Sequence, residues 1–358
     1  MNSPDRSPTF VIICFRYIGD VLVTTPLAVS IRQAYPDAAI DYMVFEGTEG
    51  VLAHNPLIRD VISLPRTGSN MGALLSRLRK YSVALAAYPS DRTVMAALLV
   101  GKKSIGLTYA GNKERWKNAL LTAAPVCDDR YPVVSNMLAL LSPLGVAPVP
   151  RVAVGYDQDD LAYARATMPT GDYVVMHPYS RSRCKYWPAG NWAELAVLLR
   201  EQTGCQVIFT RTPDAEDAAY LEQILAETPS GVVAFRESCS LSRLAAAIKG
   251  SRAYIGIDTA VTHIAAAVEV PTIALMGPTL TRYWAPWPNG CTERSPFSAR
   301  CGIQRSGYVT VIQKEWECVP CNRESCAISE RDKMECLEAI TPLEVVREVL
   351  EHVGRHDQ

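Results

Sequence analysis

What this chain lacks narrows its function before any motif is read. In 358 residues no apolar run approaches the ~20 needed to cross a bilayer as a helix. The Phe10–Phe15 run is too short for a signal h-region, and Asp5 and Arg6 precede it, so a cytoplasmic protein is expected. No two glycines stand two residues apart, which removes the GxGxxG dinucleotide fingerprint. There is no GxxxxGK[ST] phosphate loop, no HExxH helix and no GxSxG elbow. Dehydrogenase, P-loop kinase and hydrolase readings all lose their usual support. The net charge is only −1, so no nucleic-acid partner is expected.

What is present is a chain long enough for two domains, 48% hydrophobic and 20% charged, as soluble globular proteins are. Strand and helix alternate along its first half. Strands are expected at Thr9–Phe15, Ile40–Phe45, Val61–Leu64, Val83–Ala87 and Ser104–Leu107, with helices between them, one from Asp20 through Tyr35. Leu144–Tyr156 holds two prolines, Pro148 and Pro150, and breaks the rhythm, which marks a domain boundary. The alternation then restarts with strands at Tyr173–His177, Gln206–Thr210 and Val232–Phe235, and helices at Asn191–Gln202, Ala215–Ala226 and Leu241–Lys249. The expected class is therefore α/β, with two doubly wound domains facing each other and ligands at the carboxyl ends of their strands. We divide the chain into an N-terminal domain 1–155, a C-terminal domain 156–340 and a last helix within 341–358, expected to return towards the N-terminal domain.

Three stretches carry chemistry. Tyr254–Pro278 reads as strand, turn, Ala-rich helix, strand and Gly-Pro stop, with Asp258 and Thr259 at the head of the helix. Unpaired N–H groups and the dipole there suit a pyrophosphate, and Asp258 suits the hydroxyls beside it; simple helix capping is the alternative. His263, one turn further on, is a ligand candidate or a core histidine. In the second stretch, Gly19-Asp20 follows the first strand, where a carboxylate can act as general base or as a cap. The third, His177–Pro188, offers Arg181, Arg183 and Lys185 to a phosphate, with Ser180 and Ser182 as hydroxyl donors, or is a solvated loop.

Charge and cysteine add two more features. Residues 1–150 carry a net +4, and Arg66 to Lys117 holds ten basic residues against Asp91 and Glu114. That block suits a phosphorylated acceptor or an anionic membrane surface, with Arg66, Lys102 and Lys103 as candidate contacts. Five of the eleven cysteines lie between Cys301 and Cys336. Cys318-x2-Cys321-x4-Cys326-x9-Cys336 has metal-ligand spacing, for structural zinc or iron; free thiols or a disulfide are the other readings.

Taken together and in this order, the stretches resemble glycosyltransferase family 9, the ADP-heptose:lipopolysaccharide heptosyltransferases. RYIGDVLVTTPLAVSIRQAYPDAAIDYMV is similar to the family's opening, HPYSRSRCKYWPAGNWAEL to its lysine loop, and IDTAVTHIAAAVEVPTIALMGPT to its DTG…H…AAA…P…GPT signature. The tail CVPCNRESC…ECLEAITPLEVV resembles cysteine-bearing tails of some second- and third-heptose enzymes. The resemblance implies a GT-B architecture and inverting transfer of heptose from ADP-heptose to a hydroxyl of a phosphorylated lipopolysaccharide core, in the cytoplasm or peripheral on the inner membrane. It implies Asp20 as base, Lys185 on donor phosphate or ribose, and Asp258 on the donor sugar. It further implies Thr259 and Ala260 as backbone donors, Cys239 at adenine, Glu216 at ribose, and no cofactor for catalysis. The third signature residue is Ala260 in place of glycine, and Thr210-Arg211-Thr212 replaces Thr-Gly-Gly. A protein or other glycan acceptor, or a non-catalytic binding protein on the same fold, is the alternative; Asp20, Lys185 and Asp258 standing together argue for catalysis.

Overall fold

A computed structural model describes residues 7–228, 232–326 and 334–353. The chain divides into two compact units, Met1–Gly155 and Tyr156–Gln358. Each is an α/β domain built on a parallel sheet, and together they are the domain pair of the GT-B architecture.

In the first unit the strands are β1 (Thr9–Cys14), β2 (Ala39–Phe45), β3 (Asp60–Leu64), β4 (Tyr81–Ala86) and β5 (Gly101–Gly106). They lie in the order β3-β2-β1-β4-β5, all parallel. β1 reads TFVIIC and is buried along its length after Thr9, as a central strand covered on both faces must be. Burying each such Val or Ile side chain contributes about 1.5–3 kcal/mol before entropy is subtracted. The order changes direction on either side of β1, so the loop after Cys14 opens at a topological switch point, where α/β sheets hold ligands.

The segment after β1 differs from the expected single helix beginning at Asp20. A five-residue helix, Ile18–Leu22, starts two residues earlier, and a second, Thr25–Ala34, follows. The break is local chemistry. Pro26 has no N–H for the preceding turn, and the Thr24 and Thr25 hydroxyls bond the carbonyls of Val21 and Leu22 at 2.7 Å. Gly19 therefore sits inside a helix; no left-handed turn is formed there.

The second unit has β6 (Tyr173–His177), β7 (Gln206–Phe209), β8 (Val233–Ala234), β9 (Ala253–Ile257), β10 (Thr272–Leu275), β11 (Gly302–Ser306) and β12 (Val309–Gln313). The order is β11-β12-β10-β9-β6-β7-β8, parallel except for β11. Trp187 and Trp192 are fully buried and meet edge to face at 5.0 Å, and Trp187 Nε1 donates to the Ile340 carbonyl at 2.9 Å. The lysine loop thus ends in a fixed anchor.

The last helix, Pro342–Val353, belongs to this second unit. Val345, Val346 and Val349 enter its core beside Leu195 and Leu199 of the Ala189–Thr203 helix. Glu348 takes both arms of the Arg305 guanidinium on β11, at 2.7 and 2.6 Å, and His352 bonds Thr310 at 2.7 Å. Among the described residues no helix is long and apolar enough to cross a membrane.

Candidate active site

The donor-side candidates converge within the second unit. β9 ends at Ile257, Thr259 occupies the cap position and the Ala260–Ala267 helix follows. Gly256 is required here by a close approach: a Cβ would collide with the Tyr254 ring, which crosses it to bond Thr262 at 3.0 Å. Asp258 sits at the mouth of this turn. Lys185 Nζ donates to Asp258 Oδ2 at 2.7 Å and to Thr279 Oγ1 at 3.2 Å, and Thr279 donates to the same carboxylate oxygen at 2.6 Å. Burial alone would raise the Asp258 carboxyl. The Lys185 charge and hydrogen bond, with Thr279, outweigh it and hold the group below its ordinary range. Asp258 is therefore an anion over the working pH range, and Lys185 is fixed before any ligand arrives.

Thr279 was missed as a site residue, although it closes the quoted GPT signature. Its signal was in the sequence; its role needs the turn after β10 to come back beside Lys185. Gln313 holds that turn from below, donating to the carbonyls of Gly277 and Thr279 at 2.7 and 2.9 Å. His263 is buried in the same helix, and burial lowers its pKa, partly offset by Asp258. His177, at the end of β6, is likewise buried and pushed down to about 3, with Nδ1 2.8 Å from the Thr210 hydroxyl.

The rest of the basic loop is less available than its charge suggests. Arg183 is drawn to acids: it pairs with Glu216, with Asp214 at 3.2 Å, and reaches Asp217 at 4.0 Å. Arg183 and Glu216 thus form an exposed ion pair at the mouth of the loop. Ser180 accepts from the Ser182 amide at 3.3 Å and shapes the loop. Cys239 is half-buried, its thiol pushed up to about 11 by burial, immediately before the Ser240 cap of the Leu241–Lys249 helix. Asn191 does not cap the helix after the loop, which begins at Ala189 behind Pro188.

In the first unit Asp20 is 7% exposed and folds back towards its own turn, accepting from the Tyr17 amide at 3.3 Å, with Arg16 Nε at 3.8 Å. Around it three arginines lie on aromatic faces. Arg16 sits 4.9 Å from the Tyr17 ring centre and 4.5 Å from that of Tyr88. Arg66 sits 5.5 Å from Tyr17 and 5.2 Å from Phe45; Arg92 is 4.7 Å from Phe45 and 5.8 Å from Phe15. Arg92 also donates to the carbonyls of Arg66 and Pro65 at 2.7 and 3.1 Å. The rings offset the mutual repulsion of three cations and hold them ready for an anion.

The rest of the basic block does not join them. Lys103 is level with Val83 on β4, and Val83 with Phe10, so Lys102 and Lys103 lie at the amino end of the sheet. From that level β1 runs four more residues to Cys14, about 13 Å at ~3.3 Å per residue, and the turn that carries Asp20 follows its carboxyl end. Lys117 is 2% exposed and is consumed by Asp91 at 2.9 Å and Glu114 at 2.8 Å, the block's two acids.

Residues 73–302 match the family model Glycosyltransferase family 9 (heptosyltransferase). The chain belongs to glycosyltransferase family 9. It is 30% identical over 291 residues to lipopolysaccharide heptosyltransferase 3 of Escherichia coli strain K12, covering 76% of this chain and 83% of that protein. The fold of this family 9 member is similar to that of the glycosyl transferase family 9 protein from Veillonella parvula, at a TM-score of 0.79 and 18% identity over 99% of this chain and 100% of that one. It is also similar to that of the E. coli heptosyltransferase WaaC with ADP-2-deoxy-2-fluoro heptose, at 0.69 and 18% identity over 96% and 99% of the two chains.

Cys318, Cys321, Cys326 and Cys336 are free thiols lining one cavity of about 260 Å³. Among the described residues no three of these sulfurs lie within 4.8 Å of one another. Burial first, and then the neighbouring thiols, push Cys336 up to about 11.

Proposed function

We propose that this glycosyltransferase moves heptose from ADP-heptose to a hydroxyl of the lipopolysaccharide inner core, with inversion. The observation that carries the donor half is the Lys185–Asp258–Thr279 set at the head of the Ala260–Ala267 helix. An ammonium has three donors; Asp258 and Thr279 take two, and a diphosphate oxygen completes the set. Backbone N–H groups from Thr259 onward add the helix dipole to the same diphosphate. Asp258 accepts from sugar hydroxyls. A family relative is named as a lipopolysaccharide heptosyltransferase, and a structural neighbour holds an ADP-heptose analogue, in keeping with this donor.

In the N-terminal domain Asp20 takes the proton of the acceptor hydroxyl. The freed oxygen forms the bond to the anomeric carbon, and the bond from that carbon to the diphosphate oxygen breaks. ADP departs with its charge balanced by Lys185 and the helix terminus, so the scheme is drawn with side chains alone supplying positive charge. Arg16, Arg66 and Arg92 hold acceptor phosphate beside Asp20. The acceptor is lipid-borne, so contact with an anionic membrane surface on the cytoplasmic side is part of this proposal.

Calorimetry with ADP tests the donor half. Losing a hydrogen bond to a charged group costs roughly 1.5–3 kcal/mol, so Lys185→Ala should weaken ADP about ten- to a hundredfold. An unchanged dissociation constant would remove Lys185 from the site.

A further inference from the structure

Four large apolar side chains stand exposed together on one face of the first unit. Met71, Leu75 and Leu78 lie at i, i+4 and i+7, with Leu74 turned inward to the core. The Leu78 amide donates to the Leu75 carbonyl at 3.1 Å, so the helical turn continues past Leu75 and keeps the three on one side. They are 48%, 52% and 56% exposed. The Asp91–Val100 helix runs beside them and is tied to their segment at both ends. At one end Arg92 reaches the carbonyls of Arg66 and Pro65, and the Asn70 side-chain amide donates to the same Pro65 carbonyl at 3.1 Å. At the other the Arg79 amide donates to the Leu99 carbonyl at 2.9 Å. Arg92, Met95 and Leu99 share one stripe of that helix, at i, i+3 and i+7, so Met95, 45% exposed, lies between the two ties. Single exposed apolar residues are ordinary; four on two adjoining helices make a patch.

Charge says what covers the patch. From Arg66 to Lys103 the chain has seven basic residues and one acid, Asp91, which Lys117 holds at 2.9 Å. Arg79, Lys80, Lys102 and Lys103 are exposed at the Leu78 end, where Arg79 Nη2 bonds the Lys102 carbonyl at 3.5 Å. Arg66 and Arg92 close the Met71 end. Apolar side chains between two sets of cations suit a surface that lies on anionic lipid, the apolar groups in the headgroup boundary and the cations on headgroup phosphates.

We infer that this face of the N-terminal domain docks the enzyme on an anionic phospholipid bilayer. Met71, Leu75, Leu78 and Met95 enter the headgroup boundary, and Arg79, Lys80, Lys102 and Lys103 sit on lipid phosphates. Seven residues of helical rise separate Met71 from Leu78, about 10 Å, so docking keeps Arg66 and Arg92 at the bilayer surface, where a lipid-borne core arrives. Lys102 and Lys103 then hold the membrane, and Arg66 and Arg92 the acceptor. The inference rests on the lipid-borne acceptor proposed above, so lipid binding and transfer are measured separately.

The full chain is sedimented with vesicles of equal parts phosphatidylglycerol and phosphatidylcholine, free of lipopolysaccharide, and with vesicles of phosphatidylcholine alone. Binding to the anionic vesicles only is expected, weakening with salt. A cation near such a surface contributes about fivefold, so Lys102→Gln with Lys103→Gln should weaken binding roughly thirtyfold. Leu75→Ser with Leu78→Ser should weaken it roughly tenfold. Both double variants should transfer to a water-soluble core oligosaccharide at the parent's rate and lose most transfer to the same core carried on lipid in anionic vesicles. Should the serine pair not fold, the lysine pair gives the same reading. Equal binding to both kinds of vesicle, or binding unchanged in both double variants, overturns the inference. A chain that ignores vesicles and dimerises in solution, returning to monomer in the serine pair, gives the face to a second copy and overturns it as well. Vesicle binding that follows the variants in a chain that transfers to no core acceptor defeats the acceptor reading and leaves the docking face standing.

Discussion

Thr279→Val tests the donor geometry at a single hydroxyl. Valine has nearly the shape of threonine, so the change removes the hydroxyl without opening a cavity, at a residue only 5% exposed. Two hydrogen bonds go with it, one to Asp258 at 2.6 Å and one from Lys185 at 3.2 Å. Hydrogen bonds to charged groups are worth roughly 1.5–3 kcal/mol. Asp258 Oδ2 keeps Lys185 at 2.7 Å, so the lower end applies and ADP binding should weaken about tenfold. The pH dependence separates positioning from packing. Thr279 helps hold the Asp258 carboxyl below its ordinary range, so its loss lets that pKa rise. The Asp258 pair is intact above the ordinary carboxylate range and is lost as pH falls through the lowered pKa; in the variant the acid limb of ADP binding should move to higher pH. Thr279→Ser should restore both. A variant that binds ADP within about twofold of the parent, with an unmoved acid limb, would refute the reasoning.

Charge reversal distinguishes the two basic regions. Arg66→Glu should raise the apparent acceptor KM and leave the donor KM unchanged, the effect fading with salt, whereas Lys102→Glu with Lys103→Glu should move neither; an equal rise from the lysine pair would return the acceptor to the whole block. Histidine burial sets an acid limit on stability. His177 is held at about 3 against an ordinary 6.5, so between those values the unfolded chain binds the extra proton, and stability falls as pH drops below about 6.5, by about 1.4 kcal/mol per pH unit. Urea unfolding of His177→Gln should show that much less slope between pH 7 and about 4, and an identical slope would mean the histidine charges freely in the fold.

Much of the fold was legible because its strands are nearly continuous apolar runs buried on both faces. Tyr173–His177 and the Leu241–Lys249 helix fall where the pattern places them. The β11–β12 hairpin was not read. Its edge strand, GIQRS, is alternately exposed, and it turns at Gly307-Tyr308 beside a cysteine-rich stretch that drew attention to metal ligands. Lys185 and Asp258 were legible from motif chemistry, and the structure joins them. Arg16 and Arg92 were not, because their placement depends on rings from several segments: Phe15 and Phe45 at the ends of β1 and β2, and Tyr17 and Tyr88 after β1 and β4. A count of charges along the chain cannot tell which end of a parallel strand a lysine occupies; the register places Lys103 level with Val83.

The most direct measurement is transfer itself. The chain and its Asp20→Ala variant are incubated with ADP-heptose and a set of truncated lipopolysaccharide core acceptors, and the products are weighed by mass spectrometry. The account predicts one acceptor that gains a single heptose as ADP is released, with the rate falling by ~10²–10⁴ in the variant while ADP still binds. No mass gain on any core acceptor, or undiminished transfer by Asp20→Ala, would contradict it.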